Sequence, residues 1–411
     1  MDKEIKRWQT GAVKEALSLR RVVHISGARQ TGKTTLTKQV IPDSGSYRTL
    51  DDTDMLNFAL SDPKGFIANP GKTMVIDEIQ KAPNLVSEIK IAVDKNKEPG
   101  QYLLTGSANL LTLPRISESL AGRVKYIRLR PFSMGEILEK EPSFIQRAYK
   151  GDFPEIISGY DKAALIKHAF CGGYPEVVAL SNSNHRKDWH RDYIVALIER
   201  DLLDVSHIRR KDILSNLVGI LSSWSAKYME LSSISSSLAI HKTTLENYIH
   251  ALISMFLFDR LAPWIKTDYE RVGRRSKIYA ADTGIMASLL GWKEEDVFMS
   301  EDRSGKLIET FVYQELLAQI ELLGNYTITH YRDRNNREID FVIENEEGEI
   351  LGIEVKSSHS VSRGDFKSQE WFKEHIHKSK KSYTGIILYS GDRVIRFSDT
   401  LSAVPSAALW L

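Results

Sequence analysis

Residues 27–34 read Gly-Ala-Arg-Gln-Thr-Gly-Lys-Thr and follow directly on the apolar run Val22, Val23, His24, Ile25. The segment fits the spacing Gly-x-x-x-x-Gly-Lys-Ser/Thr, with an apolar strand before it and a helix-forming stretch, 35–39, after it. Gly27 and Gly32 let the main chain of Ala28, Arg29, Gln30 and Thr31 wrap a phosphate chain with its N–H groups, and the N-terminus of the helix that Thr35 continues adds a favourable field. Lys33 reaches the outer phosphates and Thr34 offers a hydroxyl to Mg2+. The loop constrains the chain around it to a strand-loop-helix unit that binds a nucleoside triphosphate.

From residue 1 to about 135, apolar runs at 22–25, 47–50, 73–76, 101–105 and 124–129 alternate with helical patterns, which predicts an α/β sheet with crossover helices. The third run continues into Asp77 and Glu78, which places two carboxylates at the C-terminal edge of a strand, where open α/β sheets bind ligands. Asp77 is placed to hold Mg2+ and Glu78 to activate the water that attacks the terminal phosphate. The fourth run ends Leu103-Leu104-Thr105-Gly106-Ser107-Ala108-Asn109, so Ser107 or Thr105 is placed to sense that phosphate.

At 411 residues the chain exceeds one ordinary core, and Lys+Arg 56 against Asp+Glu 54 leaves a net charge of only +2. Any nucleic-acid contact therefore comes from local basic patches. The single cysteine, Cys171, excludes an internal disulfide and a cysteine-rich zinc site. Neither a signal peptide nor a spanning segment is legible, so the expectation is a cytoplasmic protein with no membrane partner.

With the loop, the Asp77-Glu78 pair and the Leu-Thr-Gly-Ser strand end in place, the chain resembles the prokaryotic AAA+ ATPases. The resemblance implies ATP with Mg2+ as cofactors, a P-loop core over 1–135 and a helical lid over 136–215. It implies that Arg123, in Ser119-Leu120-Ala121-Gly122-Arg123, is an arginine finger completing a neighbouring subunit's site, and hence a homo-oligomer; a plain helix-end arginine is the other reading. It also implies that Pro175, in Gly172-Gly173-Tyr174-Pro175-Glu176, lies in the turn against adenine. Glu176 stands where the sensor-two arginine usually falls, which puts the lid's direct part in hydrolysis in doubt. Arg200 and Asp201 read as a helix ion pair or as a substitute for that arginine.

Residues 216–290 change to a serine-rich helix-turn-helix pattern: a helix over 231–239, a turn at Ile240-His241, and a second helix over 242–255 with Leu245, Ile249, Leu252 and Ile253 on one face. Strands at 257–264 and 277–281 flank the basic loop Arg271-Val272-Gly273-Arg274-Arg275. The whole resembles a winged helix, which contacts DNA phosphates or docks a protein partner.

Over 291–411 a helix begins near Gly305 with Ile308, Phe311, Val312 and Leu316 on its apolar face and Glu309 at the border. A strand at 338–343 carries Asp340, an acid where strands disfavour one, and a strand at 350–356 puts Glu354 and Lys356 on one face. Asp340 beside Glu354 repels unless a Mg2+ or Mn2+ lies between them, with Lys356 placed to act on an attacking water. Glu309, Asp340, Glu354 and Lys356 together resemble the PD-(D/E)xK nuclease fold and the uncharacterised domain fused to this AAA+ branch. The expected whole is a multidomain α/β chain: AAA+ P-loop parallel sheet, helical lid, winged helix and C-terminal nuclease-like domain. Its expected function is ATP hydrolysis coupled to a DNA-binding or DNA-processing module; the alternative is an ATP-dependent switch or protein remodeller whose tail binds without cleaving.

Overall fold

A computed structural model describes residues 5–41, 45–68, 73–107, 120, 122–157, 159–201, 210–265, 275–377 and 382–411, with only the backbone of Arg200 and Asp201. Ala108, Asn109, Ser119, Ala121, the loop residues 271–274 and the Arg200–Asp201 side-chain pairing lie outside the described residues. The chain forms two compact units: Met1–Phe132 with Tyr174–Glu176 and Ser254–Phe256, and Ser133–Gly173 with Val177–Ile253 and Leu257–Leu411.

The first unit holds strands β1 Val22–Ser26, β2 Ser46–Thr49, β3 Met74–Asp77, β4 Tyr102–Gly106 and β5 Val124–Arg128, each within a residue or so of where the apolar runs put it. They form one parallel sheet in the order β2-β3-β4-β1-β5. Alternation along the strands feeds two cores. Val23, Ile25, Val75, Leu103 and Ile127 pack with Val13, Leu36 and Val40 from the helices Gln9–Leu19 and Lys33–Val40. Val22, Met74, Ile76, Tyr102 and Leu104 pack with Leu85, Ile89 and Val93 from the helix Leu85–Lys95. A strand buried on both faces reads as a continuous apolar run, which is why β1 and β3 were visible in the sequence.

In the second unit, the helices Leu231–Ser237 and Lys242–Ser254 are joined by a short turn in which Ala239 takes φ 50°. Leu245, Ile249 and Leu252 of the longer helix are fully buried. Beside them β6 Lys227–Tyr228, β7 Phe258–Leu261 and β8 Lys277–Ala280 make an antiparallel sheet in the order β6-β8-β7.

The C-terminal part is led by the helix Glu301–Leu323, longer at its start than the sequence pattern suggested, because Ser300 caps it by accepting the Arg303 N–H at 3.3 Å. Gly324, at φ +74°, ends it. The strands that follow, β9 Tyr326–Arg332, β10 Glu338–Asn345, β11 Ile350–Val355, β12 Tyr383–Tyr389, β13 Ile395–Ser398 and β14 Leu401–Pro405, form a mixed sheet ordered β13-β14-β12-β11-β10-β9. Ile308, Val312 and Leu316 of the helix are fully buried, as are Ile339, Phe341 and Ile353 of the central strands.

Candidate functional site

The loop between β1 and the helix Lys33–Val40 has the backbone its glycines predict. Gly32 caps the helix at φ +91°, a left-handed conformation, and a Cβ on Gly27 would come within 2.1 Å of the Leu129 carbonyl oxygen. Gln30 also takes a positive φ, 60°, at the exposed tip. Thr31 is buried and its hydroxyl donates to the Ala28 carbonyl at 2.9 Å, which tightens the turn. Lys33 is buried, and its ammonium donates to the Gly27 and Ala28 carbonyls at 2.9 and 2.8 Å. Under the loop, burial first and Lys33 second drop the His24 imidazole to about 3, so this ring is neutral packing against Tyr126.

Asp77, at the end of β3, gathers three hydroxyls. Thr34 Oγ1 donates to Oδ2 at 3.1 Å, Tyr47 donates to the same oxygen and Thr105 to Oδ1. Burial first, then the bond to Asp77, push the Tyr47 phenol up, so it stays a donor. Glu78 follows in a left-handed conformation, φ 58°, ψ 45°, which turns the chain off the strand at the crevice. The Gln80 amide donates to Glu78 and, at 3.0 Å, to Ser107 Oγ, joining the ends of β3 and β4. Tyr47 and Gln80 were missed in the sequence: a half-exposed tyrosine and a glutamine in a short 3-10 turn carry no pattern, and only sheet order places them.

Arg123 lies at the opposite edge of the sheet. Its carbonyl accepts the Val22 N–H at 3.3 Å, at the beginning of β1, so it stands a five-residue strand from the loop, roughly 16 Å. Its guanidinium forks onto Asp94, with Nη2 3.0 Å from Oδ2, and holds that carboxyl below the usual range. Pro175 belongs to the first unit through Tyr174–Glu176.

In the C-terminal part, the antiparallel register of β10 and β11 ends at Phe341↔Ile353, with Asp340 and Glu354 the next residues beyond it. What the sequence did not show is Lys277, which opens β8 and is 1% exposed. Its ammonium is 3.0 Å from Glu309 Oε1, 2.7 Å from Glu338 Oε1 and 2.9 Å from Asp340 Oδ1. Tyr279, two residues on, donates to Glu309 Oε1 at 2.7 Å, and the Val355 N–H donates to Asp340 Oδ2 at 3.0 Å. Lys356 pairs with Glu354 at 3.2 Å and Asp365 at 3.5 Å.

Burial alone would lower Lys277, but Asp340, Glu309, Tyr279 and Glu338 together hold it well above the usual ammonium range. Burial first and Asp340 second push Glu309 and Glu354 each up to about 7. Among the described residues no group of three or more His, Cys, Asp or Glu side chains is arranged to hold a metal ion, and the cation beside Asp340 is the Lys277 ammonium. The available signal was a lysine opening a strand whose four residues are all buried.

A phosphate-binding loop after β1, with Asp77 and Glu78 ending β3 in a parallel sheet ordered β2-β3-β4-β1-β5, defines an ATP-binding domain of AAA type. Comparison with known families agrees: residues 19–138 match the model described as AAA domain. Residues 162–296 and 304–409 match two models described as domains of unknown function, DUF8612 and DUF4143. Uncharacterized proteins of Mycobacterium bovis and Mycobacterium tuberculosis are each 26% identical over 98% of this chain and 83% of theirs. One of Methanocaldococcus jannaschii is 24% identical over 84% of this chain and 77% of its own. Among solved structures, AMPPCP-bound DnaA from Aquifex aeolicus is 14% identical, covering 59% of this chain and 85% of that one, with a TM-score of 0.29. The RuvB Holliday junction branch migration motor of Thermotoga maritima is 19% identical, covering 62% and 90%, with a TM-score of 0.28. Among the described residues no helix is long and apolar enough to cross a membrane.

Proposed function

We propose that the chain hydrolyses ATP with Mg2+ and uses its nucleotide state to set how the second unit holds DNA. The observation that supports this reading best is the Thr34–Asp77 contact at 3.1 Å, which pairs a loop hydroxyl with a strand-end carboxylate. Those two oxygen donors fit Mg2+, which supplies charge neutralisation to the bound phosphates. Lys33 releases the two loop carbonyls and turns to the outer phosphates. Glu78 orients the attacking water, and Gln80 positions Glu78 and Ser107 relative to each other. Arg123, on the far edge of the sheet, acts on a neighbouring subunit within a homo-oligomer.

The helix Lys242–Ser254 and the sheet β6-β8-β7 support the winged-helix reading. The helix exposes Lys242, Thr243 and Asn247, and Arg275 of the basic loop is exposed and paired with Glu230; such groups suit phosphate contacts. The C-terminal domain, from 291, has the order of helix and strands of a nuclease-like fold and serves as a binding module; docking of a protein partner by the winged helix is the competing outcome.

The test is ATP turnover with Mg2+. Lys33→Ala and Glu78→Gln are each expected to lose roughly 10²-fold or more in kcat, with Glu78→Gln still binding ATP. Wild-type turnover in Lys33→Ala overturns the site. Mixing Lys33→Ala with Arg123→Ala chains is expected to restore part of the turnover, and mixed oligomers without recovery overturn the role of Arg123 in trans. DNA affinity that falls steeply with salt supports the DNA reading, and none at low salt leaves the protein partner.

A further inference from the structure

The acid cluster of the C-terminal domain already holds a cation, and that cation is part of the chain. An ammonium has three N–H donors and no acceptor. Lys277 donates to Asp340 Oδ1 at 2.9 Å and to Glu309 Oε1 at 3.0 Å, and Glu338 Oε1 lies 2.7 Å away as a third ion-pair partner. A Mg2+ or Mn2+ ligated by Asp340 and Glu309 needs oxygens at about 2.0–2.2 Å. The oxygens it would use, Asp340 Oδ1 and Glu309 Oε1, are the ones Lys277 holds. The other Asp340 oxygen accepts the Val355 N–H at 3.0 Å.

Displacement is also unfavourable. A dication entering the cluster meets a like charge, and an ammonium leaving it is stranded without its partners in a site that is 1% exposed. Lys277 arrives from β8, a strand of the small sheet, 63 residues before Asp340, so the contact also ties that sheet to the C-terminal domain.

We propose that the Lys277 ammonium is a permanent side-chain substitute for the divalent cation of the Glu309, Glu338 and Asp340 cluster, which leaves the C-terminal domain a nuclease-like framework without a metal-dependent cutting centre. The inference rests on the nuclease-like reading of that framework and is independent of the ATP site.

The probe is Mn2+ alone, added to nucleotide-free full-length protein in an Asp77→Asn background that removes the ligand of the first unit. Binding is read by the loss of the free Mn2+ electron-spin signal, and folding by circular dichroism. The Asp77→Asn chain is expected to take up no Mn2+ through the cluster. Adding Lys277→Met is expected to tighten Mn2+ binding roughly tenfold or more by freeing the Glu309 and Asp340 oxygens, and adding Asp340→Asn to that is expected to abolish the gain. A folded Lys277→Met chain that binds no more Mn2+ than its parent overturns the proposal.

Two arms keep Lys277 in place and decide the matter if Lys277→Met fails to fold. Mn2+ bound by the parent and lost with Asp340→Asn overturns the proposal. So does Mn2+-dependent cutting of single- or double-stranded DNA by the wild-type chain that Asp340→Asn removes. Absence of both supports it. None of these readouts uses ATP, so loss of the ATPase reading would not be mistaken for loss of this one.

Discussion

Two buried lysines sit at the two acid-bearing centres, and their partners differ in charge. Lys33 is held by two main-chain carbonyls, at 2.9 and 2.8 Å. Those are neutral acceptors, and a phosphate chain offers the ammonium far stronger ones. Asp77 nearby accepts from three hydroxyls, which carry no charge and leave its own in place for a dication. Lys277 is instead held by three acid side chains, which together keep its ammonium charged. At the first centre lysine and acid both meet uncharged groups, carbonyls and hydroxyls. The second is closed on itself. A nucleotide site and an ion-paired core can use the same residue types, and the difference lies in whether lysine and acid point at each other.

The sharpest way to break that comparison is to remove each charge. Taking one partner from a buried ion cluster strands the rest, so Lys277→Met is expected to destabilise the chain by about 3–5 kcal/mol, measured by urea unfolding of the second unit's transition. Lys33→Met removes the hydrogen bonds to the Gly27 and Ala28 carbonyls and is expected to cost about 1 kcal/mol while abolishing turnover. Equal losses of stability in the two variants would mean that the partners' charge does not matter.

A smaller effect sharpens the nucleotide side. Gln80 spans Glu78 and Ser107 without standing on either strand. Gln80→Ala is expected to lower kcat roughly tenfold through a misplaced Glu78, with the KM for ATP unchanged and partial rescue by Gln80→Asn. A change confined to KM would show that Gln80 binds nucleotide instead.

The sequence was legible where the signal is local. The loop at 27–34 is a contiguous pattern, and β1, β3 and β4 are apolar runs because both of their faces are covered. Asp340 stood out as an acid in a strand, one residue beyond the β10–β11 pair Phe341↔Ile353. Lys277 was read only as the start of a strand. Its meaning depends on Glu309 and Asp340, which lie 32 and 63 residues away, and no periodicity links them. Two charged residues in strand positions that call for apolar ones were each visible; that they answer each other is a fact of tertiary packing. Arg123 was placed by order along the chain, which fixed its position beside β5 but not that Asp94 holds its guanidinium.

A third buried acid tests the comparison from outside both centres. Glu315, on the helix Glu301–Leu323, is nearly fully buried and accepts the Met134 N–H at 2.8 Å, while its Oε2 is buried without a hydrogen-bond partner. With no ammonium to hold its charge, burial pushes Glu315 from the ordinary 4.5 up to about 8. The folded state therefore keeps a proton that the unfolded chain releases above about 4.5. By linkage, this stabilisation is complete below that pH and is lost as pH rises through about 8. Glu315→Gln keeps an acceptor for the Met134 N–H and cannot ionise, so its unfolding free energy is expected to fall less than the wild type's between pH 5 and 8. The wild type and the variant running parallel across that range would show that Glu315 is ionised in the fold.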